Sequence, residues 1–422
     1  MSVALGRRDA VPPPWSFDEH SKGGASVSLE KAVNGRTAGL DEQEFDNAPL
    51  VQIPLHTGPI SGIDISPDGS RLIVTNVGGD SVSVIDTDGC RVAETIDDLN
   101  EPFAIAMGGG EANRAYVSTV AAAYDSIAVI DMSTNTVIAT HPLALSVSDL
   151  AVSPDGTRVY AARNGARAAD VAVLDAAAGR VVEVIDVAES PGAPGTTADY
   201  VRVSPDGGRL YVGTNGSAGG RLVVIETRAQ STDGRAGGRS RWRRKKKSAR
   251  SGEKDAQTGL SIAGTVEIGF PVRDVALSPD GDTAYVASCG PDFGAVLDVI
   301  DARTNKITST HKIGDIGGLL TGLLLSGDGA RAYLVSDDRL TMLCTRTREV
   351  VGTVRVARNP SCAVESPDGR RLYIADYSGV VTVAPVAATV ASKASGTQRA
   401  LESNRSVESA MREMVQYEAA LV

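Results

Sequence analysis

Histidine is scarce in this chain of 422 residues, which holds only His20, His56, His141 and His311. No HExxH or CxxCH pattern occurs, and no histidine cluster is in place to ligate haem or copper. Cysteine is equally rare and scattered, at Cys90, Cys289, Cys344 and Cys362, with no CxxC pair. A chain this long does not need disulfides, so reduced thiols are expected. Neither a GxSxG elbow nor a phosphate-binding glycine loop is present. No apolar run approaches membrane-spanning length, and Arg7 and Arg8 are not followed by the apolar stretch of a signal peptide. The expectation is a soluble protein, cytoplasmic by default, with non-classical export or envelope association left open.

Aromatics amount to 4%, whereas hydrophobic residues reach 42% and glycine numbers 45. Short aliphatic strands between glycine turns fit that balance better than long packed helices. The net charge of -10 is unevenly spread. Residues 228–254 carry eleven Lys and Arg against Asp233 and Glu253, a local +9 that leaves -19 on the rest. An acidic body with one basic segment is not a general nucleic-acid-binding surface.

What the chain has in abundance is repetition. The turn SPDG begins at Ser66, Ser153, Ser204, Ser278 and Ser366, with a variant SGDG at Ser326 and a worn copy, MGGG, at Met107. These seven turns are spaced 41, 46, 51, 74, 48 and 40 residues apart. Each follows an aliphatic run and precedes a second, such as RLIVTN or RLYVGTN; a third run, such as VSVIDT, and a fourth, such as RVAETI, complete the unit. Alternating β-branched residues bounded by Gly, Asn and Asp read as strands. The connections are too short for crossover helices, so each unit is expected to be a four-stranded antiparallel meander. A single such sheet cannot bury both faces, but seven arranged radially can. The fold class expected is all-β: a seven-bladed β-propeller over residues 47–387.

The turn SPDG, followed by LIVTN or LYVGTN and then VIDT, resembles the YVTN/SPDG family of propellers, of the surface-layer type. The likeness spans about residues 48–387. Related propellers include lactonase-type enzymes and the haem domains of certain nitrite reductases, so the resemblance implies the fold and leaves the activity open. Ring closure is also legible. The seventh unit has three runs and then dissolves into AATVASKASG, while residues 50–60, LVQIPLHTGPI, precede the first unit and read like a fourth strand. Residues 50–55 are therefore expected to pair with 380–386.

Three segments fall outside the repeat. Residues 1–46 mix Pro, Gly and charge without period and are expected to be a disordered arm. Residues 388–422 read as a linker and a short amphipathic helix with Val407, Met411, Met414 and Val415 on one face. Residues 228–256 are a basic insertion in blade 4, expected to be a solvated loop. Its core, Arg241, Trp242, Arg243, Arg244, Lys245, Lys246 and Lys247, would offer weak, nonspecific contact to nucleic acid or anionic lipid.

Chemistry on this fold would sit at the mouth of the central channel, on the face opposite the SPDG turns. Asp149, Asp199, Tyr200, Arg273, Asp274 and Cys362 lie where inner strands begin, with His56 just before the first. Asn76, Arg163, Asn164, Asn215, Asp337 and Asp376 belong to turns on the same face. Asp149, Asp199 and Asp274 would hold a metal if they converged, with Arg273 orienting an anionic substrate. The alternative is that these groups cap strand ends. Lactonase-type relatives use a His, an Arg and an acid, and only His56 and Arg273 are loosely so placed. The expectation is a non-catalytic scaffold, without cofactor or metal, presenting loops to a protein or cell-envelope partner. The alternative is a lactonase-type enzyme or sensor at the channel mouth.

Overall fold

Each sequence repeat forms one blade. The computed structural model describes residues 50–386 except 109–112, 121–124, 190–194, 228–258, 291–293, 315 and 356–358. The expected N-terminal arm, basic insertion and C-terminal helix lie outside the described residues. Among the described residues, 28 strands form seven four-stranded antiparallel sheets. Blade 1 shows the pattern: an inner strand Ile60–Ile65, a second Arg71–Asn76, a third Ser81–Asp86 and an outer strand Arg91–Ile96. The second and third strands have neighbours on both edges and blades on both faces, so almost every residue in them is buried. That is why RLIVTN and SVSVID are nearly continuous β-branched or small residues, while the outer RVAETI is mostly exposed.

The SPDG turn serves the seams between blades as well as its own hairpin. In the first turn Ser66 Oγ donates to Asp68 Oδ1 at 2.6 Å and accepts from Arg71 N at 3.0 Å, and Gly69 N donates to Ser66 O at 2.8 Å. Gly69 adopts φ 73°, and a Cβ there would lie 3.1 Å from Pro367 of blade 7. The same proline-on-glycine contact joins Pro154 to Gly207, Pro205 to Gly281 and Pro279 to Gly329. Position four must therefore be glycine for two reasons: the left-handed backbone and the neighbouring ring.

Seven hydrophobic clusters occupy the seven seams, one between each pair of adjacent blades. In six blades a second-strand tyrosine faces the next blade: Tyr116, Tyr160, Tyr211, Tyr285, Tyr333 and Tyr373. Arginines just after the turns fasten the same seams. Arg71 Nη1 donates to Met132 O at 3.1 Å, Arg114 to Ala176 O at 3.3 Å, and Arg371 of blade 7 to Thr87 O of blade 1 at 2.8 Å.

The N-terminal strand completes blade 7. Val51–Pro54 pairs antiparallel with Val380–Pro385, matching Val51 to Val383 and Pro54 to Val380. Ile53 and Leu55 enter the core shared by blades 1 and 7. Strand registers carry regular interruptions. Six inner strands hold one extra residue: Ser61, Ser148, Asp199, Arg273, Thr321 and Ser361. Six outer strands do the same at Ala93, Ile138, Val182, Ala263, Thr308 and Val351. Among the described residues no helix is long and apolar enough to cross a membrane.

Candidate functional site at the channel mouth

Among the described residues inner strands have a strand neighbour on one edge only, so amides on their other edge need acceptors from the adjacent blade. Aspartates supply three of them. Asp64 Oδ1 accepts from Ile65 N at 2.8 Å, and its Oδ2 accepts from Met107 N of blade 2 at 2.7 Å. Asp149 repeats the arrangement with Leu150 N and Val201 N of blade 4, both at 2.9 Å. Asp274 does so with Val275 N at 2.7 Å and Leu323 N of blade 6 at 2.8 Å. The same kind of carboxylate therefore ties inner strands 1 to 2, 3 to 4 and 5 to 6.

Asp149 and Asp274 converge on Arg202, in the inner strand Thr197–Val203 of blade 4. Arg202 Nη1 bonds Asp149 Oδ2, and Nη2 bonds Asp274 Oδ1 at 2.7 Å. Burial opposes the charge on Arg202, but the two carboxylates outweigh it and raise its pKa. Burial pushes Asp274 above the usual carboxylate range, partly offset by Arg202. Burial likewise raises Asp64, against its two amide donors and the field of Arg202. Arg202 lies deep in the ring yet keeps 32% of its side-chain surface open to the channel.

Asp199 stands apart from that pair. Its Oδ2 accepts from Thr197 Oγ1 and Asn215 Nδ2, each at 2.8 Å, and burial raises its pKa. Asn215 also forms a two-point clamp on blade 5: its Nδ2 donates to Val272 O at 3.0 Å, and its Oδ1 accepts from Val272 N at 2.7 Å. Asn164 holds Ala198 of blade 4 in the same way, at 3.1 and 2.7 Å. A side-chain amide thus imitates a strand neighbour where the inner strands have none. Arg163 is occupied within its own blade by a buried two-point pair with Asp170, at 2.8 and 3.1 Å.

The other mouth-side residues have local roles. Asn76 donates to Ser83 Oγ at 2.9 Å, Asp337 accepts from Leu319 N at 2.9 Å, and Asp376 accepts from Ser378 N at 2.8 Å. His56 is exposed, with φ 60°, between the closing strand and blade 1. Tyr200 is half-buried, and burial together with Asp274 and Asp199 drives its hydroxyl pKa upward. Burial pushes the Cys362 thiol up to about 12, so it stays protonated at neutral pH. Among the described residues, no three His, Cys, Asp or Glu side chains gather as metal ligands. The named groups therefore comprise carboxylates held by donors, a thiol and a phenol that keep their protons, and three arginines, Arg163, Arg202 and Arg273. Among the described residues of this set none is an activated nucleophile. Sequence reading passed over Arg202 and Asp64. Their signal was a charge two residues before the serine of an SPDG turn, in a strand otherwise aliphatic.

No family model matches the chain. The seven-bladed beta-propeller protein Rv1057 of Mycobacterium tuberculosis is 58% identical to it over 398 residues, covering 92% of this chain and 99% of that protein. Among solved structures, hydrazine synthase of Kuenenia stuttgartiensis superposes with a TM-score of 0.63 at 22% identity, over 78% of this chain and 96% of its own; the likeness is one of fold.

Proposed function

Because the chain belongs to the family of seven-bladed β-propeller proteins, we propose that it is a non-catalytic binding scaffold presenting loops to a protein or cell-envelope partner. The observation that carries this reading is the mutual engagement of Asp149, Arg202 and Asp274, which leaves these charged groups of the inner strands occupied with one another. We also assign its repeats to the YVTN/SPDG type. Supporting this is the shared geometry of the turns at Ser66, Ser153, Ser204, Ser278, Ser326 and Ser366, in each of which the serine hydroxyl bonds the aspartate.

The partner meets the channel-mouth face. Tyr377 of blade 7 is 42% exposed and Val120 of blade 2 is 37% exposed, and both belong to turns on that face. Such apolar groups on a polar rim are what a binding surface offers. The test is a benzophenone amino acid in place of Tyr377 in the full chain, irradiated in cells. A discrete crosslinked species is expected, absent when the probe replaces the exposed Ser70 on the opposite face. Lactone turnover by the purified chain that is lost in Asp274→Asn would overturn the reading in favour of a lactonase-type enzyme.

A further inference from the structure

In three of the six interrupted inner strands the extra residue shares one task, while Ser361 of blade 7 turns to its neighbour Cys362. Ser61 Oγ donates to Pro102 O of blade 2 at 3.0 Å, Ser148 Oγ to Ala198 O of blade 4, and Thr321 Oγ1 to Pro360 O of blade 7 at 3.3 Å. At each a small hydroxyl fastens one blade to the next. Blades 4 and 5 abandon that device and place charges, Asp199 and Arg273, at the same position.

Among the described residues neither charge is fully satisfied. Arg273 Nε is buried with no hydrogen-bond partner among them. Asp199 is pinned through Oδ2 alone, and its Oδ1 receives no hydrogen bond from the described residues. The two charges act on each other through space, with the half-buried Tyr200 next to Asp199 in the chain. Arg202 is matched by two carboxylates and Arg163 by one. Arg221 and Arg331 also bury an Nε without a hydrogen-bond partner, but each has a carboxylate close by, Glu189 at 3.8 Å and Glu365 at 3.6 Å. Among the described residues Arg273 and Arg348 have neither, and of these two Arg273 is the one at the channel mouth. A guanidinium stays charged at any accessible pH, and burying one of its N–H groups without an acceptor is costly. The missing acceptor is the cue.

We propose that Arg273, with Tyr200 and Asp199, forms a subsite at the channel mouth for a small oxyanion, a carboxylate or a phosphate group. The planar fork of Arg273 takes the oxyanion in two-point fashion. Asp199 Oδ1 faces the same rim as an acceptor for a hydroxyl or ammonium on the same ligand, and repels a bare anion. The inference goes beyond the scaffold reading and does not depend on it, since a partner can dock on the rim whether or not this subsite is filled.

The experiment uses the full chain, titrated with sodium phosphate and with sodium acetate at ionic strength held constant with sodium chloride. Heat of binding and melting temperature are read together. A saturable response to at least one oxyanion is expected, with stabilisation growing as ligand exceeds its dissociation constant. The stronger response, phosphate or acetate, tells a phosphate ester from a carboxylate as the group recognised. Arg273→Met should weaken binding about tenfold or more, the worth of a charge-assisted hydrogen bond. Asp199→Asn should tighten it severalfold, because a repelling charge leaves the rim. Opposite signs from adjacent blades are not produced by general loosening of the ring. If Arg273→Met does not fold, Asp199→Asn carries the test alone. Absence of saturable binding by the parent protein, equal binding by Arg273→Met, or unchanged binding by Asp199→Asn would each overturn the proposal.

Discussion

Replacing Arg202 by Met removes the one group that joins Asp149 to Asp274 and leaves two carboxylates facing each other across blade 4. Breaking a buried ion pair by deleting one partner costs about 3–5 kcal/mol. Because 32% of the Arg202 side chain meets the channel, screening lowers the expected loss to roughly 2 kcal/mol. In a ring this large that corresponds to a fall in melting temperature of about 4 °C. The pH dependence has a definite sign. Burial already raises the folded-state pKa of Asp274, and Arg202 is what holds it down. Without Arg202 that pKa climbs further, so the folded variant takes up a proton more readily than the unfolded chain. A carboxyl with a raised folded pKa costs most stability above that pKa, and the cost disappears as pH falls towards the unfolded value of about 3.9. The gap between parent and Arg202→Met should therefore narrow from about pH 7 to about pH 5. Changing Asp149 and Asp274 to Asn as well should restore most of the loss, since no charge is then left unpaired. Thermal melts of the three proteins across that range decide the matter. A gap that widens on acidification, or a triple variant no better than the single one, would refute the reasoning.

Three further outcomes are expected. Asn215→Ala should lower stability by about 1–3 kcal/mol, because it strips both partners from the Val272 backbone and one from Asp199; melting temperature checks this, with Asn164→Ala behaving alike. The turn aspartates Asp68, Asp155, Asp280, Asp328 and Asp368 are held below their ordinary pKa, chiefly by the serine hydroxyl and then by backbone amides. Their contribution is thus full above the unfolded value and lost as pH drops through the depressed one, and changing them to Asn should flatten the acid limb of a stability profile. Removing residues 1–45 should leave the melting temperature unchanged, whereas removing 1–58 deletes the strand paired with Val380–Pro385 and should give aggregation or a much lower melting temperature.

The ring was readable because its punctuation is local. Pro, Asp and Gly at fixed offsets state a turn whatever surrounds them, and the missing fourth run of the last unit pointed to residues 50–55. The channel was less readable, for a geometric reason. Asp149, Asp199 and Asp274 all stand near the start of an inner strand, as its fourth, third and third residue. Yet Asp199 is itself the extra residue of its strand, while Asp149 and Asp274 come just after theirs. One residue of slip turns a side chain to the other side, so Asp199 meets Asn215 while the other two meet Arg202. The offset from the turn serine carries the distinction, since Asp149 and Asp274 stand four residues before theirs and Asp199 five, but which face an offset of five presents depends on the extra residue. The Asn164 and Asn215 clamps were hidden likewise: a turn asparagine usually bonds its own hairpin, as Asn76 does, and only the approach of the next blade redirects it.

The interruptions of the outer strands bear on how these molecules behave in a crowd. Among the described residues each blade ends in a strand whose far edge has no partner, and such an edge is a template on which another chain can extend the sheet. Around one ring there are seven. In six of them a single surplus residue breaks the spacing of donors and acceptors, so an incoming strand loses register after a few bonds. Ile138 and Val182, whose exposed apolar surfaces would otherwise invite lateral sticking, are themselves surplus residues. The seventh edge, Val51–Pro54, is four residues long and ends in a proline that has no N–H to give. Lateral strand addition at these edges is thereby hindered at the backbone, even though Val137, Val184, Ile262, Ile307 and Val350 leave further apolar surface on the same outer strands.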